Sequence, residues 1–378
     1  MTIKFAEVDV NKDQIKKDVL ECLENNWVTS GSKVKELEKN FAEIFKYKYV
    51  ACVNSGTTAD LLAALSLYDI AGAVPRESEV IVPALGFISA INSFWLSNLN
   101  LVFCDVKRET LNIDESKIEQ YITDKTKAIL AINTMGRPCK MDSLRLICNN
   151  HNLILISDNC EGHLCKYKNK YMGEWADIVT YSGYSAHLVF SVEQGWIGTN
   201  RKDVYESVIA NRTHGREHGN LLFEHKSIGW NGKSTDLHAV VGLNSLKEIL
   251  TTLDKRNTNL AFLLHELKCL QKEFYFSPES TTDYTCCPHA LSLTFTTNDE
   301  NRFNRFCGYL QGKDIEFKLN FKSIPTQQEA YTRLPPYNIL GTYKEAEYIG
   351  RNGLHLPVHQ FLSKKDLDYM VQTIKGFF

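Results

Sequence analysis

Short runs of apolar, often β-branched residues alternate with amphipathic stretches along much of the chain. The stretches 58–69 and 141–151 carry their apolar residues at helical spacing, whereas the runs between such stretches alternate or are apolar throughout. Buried strands separated by helices are typical of a mostly parallel sheet with crossover helices. We therefore predict an α/β domain from about residue 12 to residue 245. Seven runs are predicted to be strands: 49–55, 79–84, 101–106, 128–133, 153–158, 177–182 and 195–200.

A long helical pattern follows this region. Apolar residues keep helical spacing from 234 to 274, which is too long for one unbroken globular helix, and we interpret the stretch as a long connecting helix. We divide the chain into a large α/β domain, residues 1–245, and a second part, residues 246–378, that holds the connecting helix and a small α+β domain. The small domain would contain strands at 290–296 and 314–320 and helices near 301–313 and 363–378.

The charge distribution argues against a nucleic-acid partner. The 43 Lys and Arg residues nearly balance the 45 Asp and Glu residues, and they are interleaved rather than gathered into a basic stripe. No apolar run approaches the roughly 20 residues that span a bilayer, and the first residues lack the apolar stretch of a secretory signal. We therefore expect a soluble, cytoplasmic protein with no membrane partner.

Eleven cysteines are scattered along the chain. In a protein of this size without a secretory signal, reduced thiols are expected rather than disulfides. Two clusters contain both residue types that bind zinc, but neither has a second pair at zinc-finger or zinc-ribbon spacing, so no metal site is predicted. The clusters are Cys160, His163 and Cys165, and Cys286, Cys287 and His289.

The segment NSGTTADLL, from Asn54 to Leu62, joins a predicted strand to a predicted helix. Backbone N–H groups at a helix N-terminus, together with the hydroxyls of Thr57 and Thr58, form a site suited to a phosphate group. A Ser-Gly-Thr sequence also caps helices that bind nothing, so this segment alone leaves both interpretations open.

The segment SDNCEGH, residues 157–163, follows an apolar strand directly. A carboxylate at the carboxyl end of such a strand faces the crevice where open α/β sheets bind ligands, so Asp158 is placed to hold a positive charge. A helix cap is the alternative interpretation of the same carboxylate.

The segment 181–200 begins at the end of one predicted strand and finishes in another. Ser182 and His187 are therefore expected on the turn between the two strands, again at an edge of the sheet. An isolated histidine is more often a structural residue than a catalyst, so the turn alone assigns no function to His187.

The order and spacing of eight segments resemble the DegT/DnrJ/EryC1/StrS family of sugar aminotransferases and dehydratases. Each segment alone is a modest signal, but eight in order along nearly the whole chain are a specific one. The segments are 54–65, 82–93, 133–144, 156–165, 181–187, 229–246, 255–257 and 354–370.

The resemblance implies a fold-type-I, aspartate-aminotransferase-like α/β architecture that binds pyridoxal 5′-phosphate. It also implies a homodimer whose shared active sites lie at the subunit interface. The substrate class that it implies is a sugar attached to a nucleotide.

Contacts with the cofactor carry over only where individual residues match the family. Gly56, Thr57 and Ser182 resemble the phosphate-binding residues, and Phe87 resembles the aromatic residue that stacks on the pyridine ring. Asp158 matches the partner of the ring nitrogen, where a carboxylate keeps the nitrogen protonated and the ring able to accept electrons.

Two further positions belong to this predicted cofactor site. Glu161 stands where aminotransferases of the family commonly have glutamine, and its charge near the ring hydroxyl would alter the electronics of the cofactor. Asn231 resembles the asparagine that reaches the phosphate bound by the other subunit.

The main departure from the aminotransferases is His187, which occupies the position of the lysine that binds the cofactor covalently. Imidazole cannot form that bond, but its usual pKa of about 6.5 suits proton transfer near neutrality. This histidine, together with the dipeptide Gly86-Phe87, resembles the branch of the family that dehydrates GDP-4-keto-6-deoxymannose at carbon 3. We therefore predict that His187 is the catalytic base.

In that branch the cofactor works as pyridoxamine 5′-phosphate, and L-glutamate restores its amine. The resemblance implies that a nucleotide-linked 4-keto-6-deoxy-sugar, with GDP as the expected nucleotide, loses its 3-hydroxyl and becomes a 3-deoxy keto-sugar. A sister branch carries an iron–sulfur cluster, but residues 210–227 contain no cysteine that would serve such a cluster.

Two other functions stay open. One is a pyridoxal-phosphate aminotransferase in which Lys166, Lys168 or Lys170 serves instead, although their hydrophilic segment is typical of solvated charge. The other is a non-catalytic protein that kept the fold, since a fold does not determine a function. Residues 192–194, Val-Glu-Gln, also replace glycines that are usual in the family, which leaves the local backbone path open.

Overall fold

The computed structural model of the protein describes residues 2–216, 224–333 and 341–378. The helices are α1 (Asp13–Glu24), α2 (Ser32–Phe45), α3 (Gly56–Ile70), α4 (Ile88–Leu96), α5 (Met141–His151), α6 (Lys202–Arg212), α7 (Asp236–Lys247), α8 (Ile249–Glu266), α9 (Glu300–Gly312), α10 (Ile324–Gln327), α11 (Glu329–Thr332), α12 (Lys344–Asn352) and α13 (Lys364–Lys375). The strands are β1 (Tyr49–Val53), β2 (Glu79–Pro83), β3 (Asn100–Cys104), β4 (Thr126–Ile132), β5 (Ile154–Asp158), β6 (Lys166–Tyr167), β7 (Lys170–Tyr171), β8 (Ile178–Ser182), β9 (Gly195–Thr199), β10 (Phe274–Ser277), β11 (Tyr284–Thr285), β12 (Ala290–Phe295), β13 (Lys318–Leu319) and β14 (Gly353–Pro357).

The seven runs predicted as strands form one seven-stranded sheet with the order β1-β9-β8-β5-β4-β2-β3. Four neighbouring pairs are parallel, whereas β9 runs antiparallel to both β1 and β8. Successive side chains of a strand point to opposite faces, so β5 sends Ile156 into one apolar cluster and Leu155 into the other. The prediction of a mostly parallel sheet with crossover helices is confirmed.

The long helical pattern after residue 234 forms two helices, α7 and α8, rather than one. Glu248 lies between them with φ −101° and ψ 5°, so the break that the length of the pattern requires falls at this residue. The break lets the two helices follow different apolar surfaces. Ile249, at the start of α8, packs into the core under the large sheet, whereas Leu263 packs into the core of the small sheet.

A second sheet is antiparallel and has the order β10-β12-β14-β13. It has its own core, to which Leu291, Phe306 and Ile374 contribute. A third, three-stranded sheet joins β11 to the β6–β7 hairpin. No helix in the described ranges is both long and apolar enough to cross a membrane. The domain boundary after residue 245 stays a prediction.

The core between α2 and the large sheet depends on stacked aromatic rings. Phe41 is fully buried, and its ring centroid lies 3.9 Å from that of Phe45 and 4.9 Å from that of Trp196. Phe41→Ala should therefore lower the free energy of unfolding by about 3–5 kcal/mol, because it leaves a cavity in a close-packed region. Denaturant-induced unfolding measures this loss.

A matched control is Leu146→Ala, at a position on α5 where the side chain is exposed. That substitution should change the free energy of unfolding by no more than about 0.5 kcal/mol. Equal losses for the two variants would contradict the proposed role of the aromatic stack.

Candidate active site

Three strands of the large sheet end at one edge and carry the predicted site residues there. Because β9 is antiparallel to both β1 and β8, these two strands run in the same direction, and β5 runs parallel to β8. Asp158 is the last residue of β5 and Ser182 the last residue of β8, whereas Gly56 begins the helix that follows β1. The topology therefore brings these three residues to one edge of the sheet.

Gly56 and Ser182 approach each other closely. A Cβ atom on Gly56 would lie 2.6 Å from the Ser182 Cβ and 3.1 Å from its Oγ, so a side chain at position 56 would collide with Ser182. Ser55 caps α3 by accepting a hydrogen bond from the Thr58 backbone N–H at 3.0 Å, and Thr57 lies exposed in the first turn. The helix-cap interpretation of this segment is therefore confirmed. A helix N-terminus beside a serine hydroxyl also suits the phosphate of a cofactor, and that role stays a prediction.

Asp158 lies in the protein interior at the end of β5. The backbone N–H of Cys160 donates to its Oδ1 at 2.9 Å, and burial raises the pKa of the carboxyl group. Asp158 does not cap a helix, because the chain turns into a loop after β5. A carboxylate in this position fits the partner of a pyridine nitrogen.

Asp60 is a second buried carboxyl group that the sequence analysis missed. Its Oδ1 accepts a hydrogen bond from the Thr180 hydroxyl at 2.7 Å, and its carboxyl group lies close to that of Asp158. Burial, and then the charge of Asp158, raises its pKa well above the usual value. One signal was available in the sequence, because Asp60 shares an otherwise apolar helix face with Ala59 and Ala63.

Glu161 is held inside the protein by the backbone N–H of Met135, which donates to its Oε2 at 2.6 Å. Its Oε1 lies 3.9 Å from Nε2 of His289. Burial raises the pKa of Glu161 to about 8. The expected charge on this residue is therefore largely absent at neutral pH, because the carboxyl group keeps its proton.

His187 lies on the turn between β8 and β9, as predicted. Its backbone N–H donates to the Tyr184 carbonyl at 2.9 Å, and the buried Arg256 donates to the carbonyls of Ala186 and His187 at 3.1 and 3.0 Å. The imidazole Nδ1 is buried and has no hydrogen-bond partner among the residues that the structure describes. Burial, and then the charge of Arg256, lowers the pKa of His187 to about 3, so the ring is neutral at pH 7.

Two more histidines lie beside His187, and one of them, His163, is fully buried. The ring centroid of His289 is 5.1 Å away and that of His163 is 6.0 Å away. Neither cysteine–histidine cluster considered as a zinc site brings three donor atoms together. In the described part of the chain, such a group is formed instead by Asp60, Asp158 and Cys160.

Phe87 and Asn231 lie on the surface of the chain. Phe87, just before α4, is 59% exposed, and its ring meets that of Phe321 edge to face with centroids 6.2 Å apart. The carbonyl of Asn231 accepts from the Asn54 side chain at 3.1 Å, and its Oδ1 accepts from Lys233 Nζ at 2.8 Å. Asn231 thus lies near its own chain's phosphate-site segment, and a contact with a partner subunit stays a prediction.

The turn after β8 is held by residues other than the glycines that are usual in the family. Val192 adopts the left-handed region with φ 57°, which is rare for a β-branched residue. The Gln194 side chain accepts from the Ser191 hydroxyl and donates to that of Ser234. These side-chain hydrogen bonds hold the backbone where flexible glycines would otherwise be expected.

Nearly the whole chain is similar to known proteins. The sequence model of the DegT/DnrJ/EryC1/StrS aminotransferase family matches residues 9–375. A GDP-perosamine synthase of Escherichia coli O157:H7 is 29% identical over 376 residues, which cover 96% of this chain and 95% of the synthase. A GDP-4-keto-6-deoxy-D-mannose 3-dehydratase of Yersinia pseudotuberculosis is also 29% identical, over 374 residues that cover 93% of each protein.

A solved structure has the same fold. The crystal structure of a GDP-4-keto-6-deoxymannose-3-dehydratase with bound GDP-perosamine superposes with a TM-score of 0.90 and 24% identity, covering 98% of this chain and 100% of that one. The prediction of the aspartate-aminotransferase-like fold is therefore confirmed, as is the family resemblance.

The buried histidines should make the stability of the protein fall in acid. Burial lowers the pKa of His163, His187 and His289, so these rings stay neutral in the folded chain, whereas in the unfolded chain they bind protons below about pH 6.5. Stability should be retained above that pH and lost as the pH falls towards 3. The free energy of unfolding, measured between about pH 7 and pH 5, gives the slope.

The slope gives the number of protons that the chain takes up when it unfolds. His187→Asn should reduce this number by up to about one, because asparagine does not titrate. Leu146→Ala, at the exposed position on α5, removes no titratable group and should leave the slope unchanged. An unchanged slope in the His187 variant would contradict the neutral, buried state of that imidazole.

Proposed function

The chain belongs to the DegT/DnrJ/EryC1/StrS aminotransferase family, and from that premise we propose that it removes the 3-hydroxyl of a nucleotide-linked 4-keto-6-deoxy-sugar. The cofactor would be pyridoxamine 5′-phosphate, formed from pyridoxal 5′-phosphate with L-glutamate as the amino donor. The product would be a 3-deoxy keto-sugar. The observation that carries this proposal is His187, a neutral imidazole with a free Nδ1 on the turn where aminotransferases of the family have lysine.

The lysines considered as replacements lie on the β6–β7 hairpin and have other contacts. Lys168 Nζ pairs with Asp142 at 2.6 Å, and Lys166 Nζ lies 4.4 Å from the ring centroid of Tyr171. Lys170 is exposed and lies over the ring of Trp175. These contacts support a site without a cofactor-binding lysine.

The residues at the sheet edge fit the cofactor. The close approach of Gly56 to Ser182 leaves backbone N–H groups and a hydroxyl for the phosphate, and Asp158 would hold the ring nitrogen. Phe87 would cover the ring and Glu161 would face its hydroxyl as a neutral acid. When bound, the cofactor supplies an amine that condenses with the 4-keto group and a conjugated ring that takes up electrons.

His187 would move the proton. Its neutral Nδ1 would accept the proton that the methylene carbon of the bound cofactor loses. The positive charge of Arg256 nearby disfavours the imidazolium and so would favour release of that proton again. The departing 3-hydroxyl of the sugar needs a proton, and His187 would return it there as the acid. Arg256 contributes by holding the carbonyls of the turn and with them the orientation of the ring.

For the substrate we propose GDP-4-keto-6-deoxymannose. Both relatives described above are named for GDP-linked sugars, and together they align with nearly the whole chain. The second candidate function is an aminotransferase acting on the same kind of sugar, because the perosamine synthase is as similar as the dehydratase.

One incubation separates the two functions. The protein is mixed with pyridoxal phosphate, L-glutamate and a panel of nucleotide-linked 4-keto-6-deoxy-sugars, and the products are weighed by mass spectrometry. Loss of an oxygen identifies the dehydratase, and gain of an amine identifies the aminotransferase. If every sugar is unchanged, the non-catalytic alternative gains support.

His187→Asn should still bind the cofactor but should lose dehydration by about 10²- to 10⁴-fold, the usual contribution of a positioned acid–base group. Phosphate and ring contacts lie on other residues, so cofactor affinity, measured by absorbance titration, should change little. His151→Asn is the control for an unrelated histidine. Dehydration at the native rate by the asparagine variant would make His187 a structural residue.

A second substitution at the same position tests the missing lysine directly. Borohydride should leave no cofactor covalently attached to the native chain, whereas His187→Lys should retain reduced cofactor at position 187. A cofactor-bearing peptide from the native protein would refute the assignment and revive the aminotransferase function.

The working unit should be a homodimer in which Asn231 of one subunit reaches the phosphate held by the other. Asn231→Ala and His187→Asn inactivate different halves of such a shared site, so mixing the two variants should restore part of the activity. Measurements of the size and mass of the mixed sample must first show that the two variants have exchanged subunits. No recovery despite exchange would contradict the shared site.

A further inference from the structure

Asp60 and Asp158 are two carboxyl groups buried against each other. Asp60 lies on the inner face of α3 and Asp158 at the end of β5, and they are only 2% and 5% exposed. One carboxylate oxygen of each residue and the Cys160 sulfur all lie within 4.8 Å of one another. At this separation in a low-dielectric interior, both carboxylates are ionised only if a cation compensates them.

The protein supplies no such cation within the residues that the structure describes. Thr180 donates its hydroxyl hydrogen bond to Asp60, and Cys160 donates both its backbone N–H and its thiol to Asp158, so the donors to the two carboxyl groups in the described ranges are neutral. No basic side chain of the described ranges contributes to the pKa of either carboxyl group. The two acids therefore carry less than two negative charges at neutral pH.

The other titratable groups that face the two acids are also neutral. Burial raises the pKa values of the Cys139 and Cys160 thiols, and it raises that of Glu161 to about 8. These three groups come from the segment after β4 and the loop after β5, and each keeps its proton at pH 7. Asp60 and Asp158 are thus the source of negative charge at this end of β5.

We propose that Asp60 is a positioning residue for Asp158: the two acids share one proton, and they release it when a cationic ring nitrogen binds beside Asp158. This inference rests on the proposed placement of the cofactor ring on Asp158. Before binding, the shared proton keeps two buried carboxylates from repelling each other. After binding, the ring cation compensates both carboxylates, so the proton passes to solvent and the protonated ring faces two negative charges.

The proposal predicts that the number of protons released when the cofactor binds depends on Asp60. Cofactor-free native protein titrated with pyridoxal phosphate should release about one proton more per subunit than Asp60→Asn, because the amide cannot share a proton with Asp158. Titration calorimetry in buffers of different ionisation enthalpy measures this count. Inorganic phosphate, which lacks the ring, should give equal counts for both proteins.

Equal counts with pyridoxal phosphate in native protein and Asp60→Asn, across neutral pH, would overturn the inference. Asp158→Asn separates this failure from a failure of the proposed function. If Asp158→Asn binds pyridoxal phosphate with native affinity and a native proton count, the ring is not on Asp158 and the proposed cofactor placement fails. If Asp158→Asn departs from native behaviour and Asp60→Asn does not, only the role proposed for Asp60 is wrong, and the placement of the cofactor on Asp158 stands.

Thr180→Val provides a second route, should Asp60→Asn not fold. Loss of the hydroxyl removes a donor that favours the ionised form of Asp60, so the proton release should move to higher pH. A release profile identical to that of the native protein would also overturn the inference.

Discussion

A single buried guanidinium connects the parts of the molecule that the site needs. Arg256 lies on α8 and donates to the carbonyls of Ala186 and His187 on the turn after β8. The same side chain donates to the Gln360 side chain at 3.2 Å, beyond the last strand of the small sheet. A planar group with five N–H donors can hold several acceptors in fixed directions, which a lysine cannot do. The position of the His187 ring therefore depends on a helix that packs against both cores.

Burial sets the charge of each ionisable group at the site. The imidazole of His187 is neutral because water is excluded and Arg256 is near. Glu161 keeps its proton because water is excluded there too. The negative charge that remains lies on Asp60 and Asp158, where a pyridine nitrogen would need it. Removing water thus leaves the negative charge on the Asp60–Asp158 pair and a neutral imidazole on the turn.

Dehydration and transamination of a nucleotide-linked sugar can use the same scaffold. The perosamine synthase and the 3-dehydratase are equally similar to this chain, so overall similarity does not decide between the two reactions. Lysine and histidine at one position differ in whether they can bind the cofactor covalently. Which of the two residues stands at that position is therefore a stronger argument about the reaction than overall sequence similarity.

The sequence by itself determined the seven strands of the large sheet and the order of the site segments. The seven strands were predictable because alternation and apolar runs are local properties, and Asp158, Ser182 and His187 could be placed at strand ends from the same patterns. The tertiary structure decided what is not local: the break at Glu248, the hydrogen bonds of Gln194 and the neutral state of Glu161. Asp60 shows the reason most clearly. Its partner Asp158 is far away in the sequence, and only folding removes the water that would otherwise screen the two charges from each other.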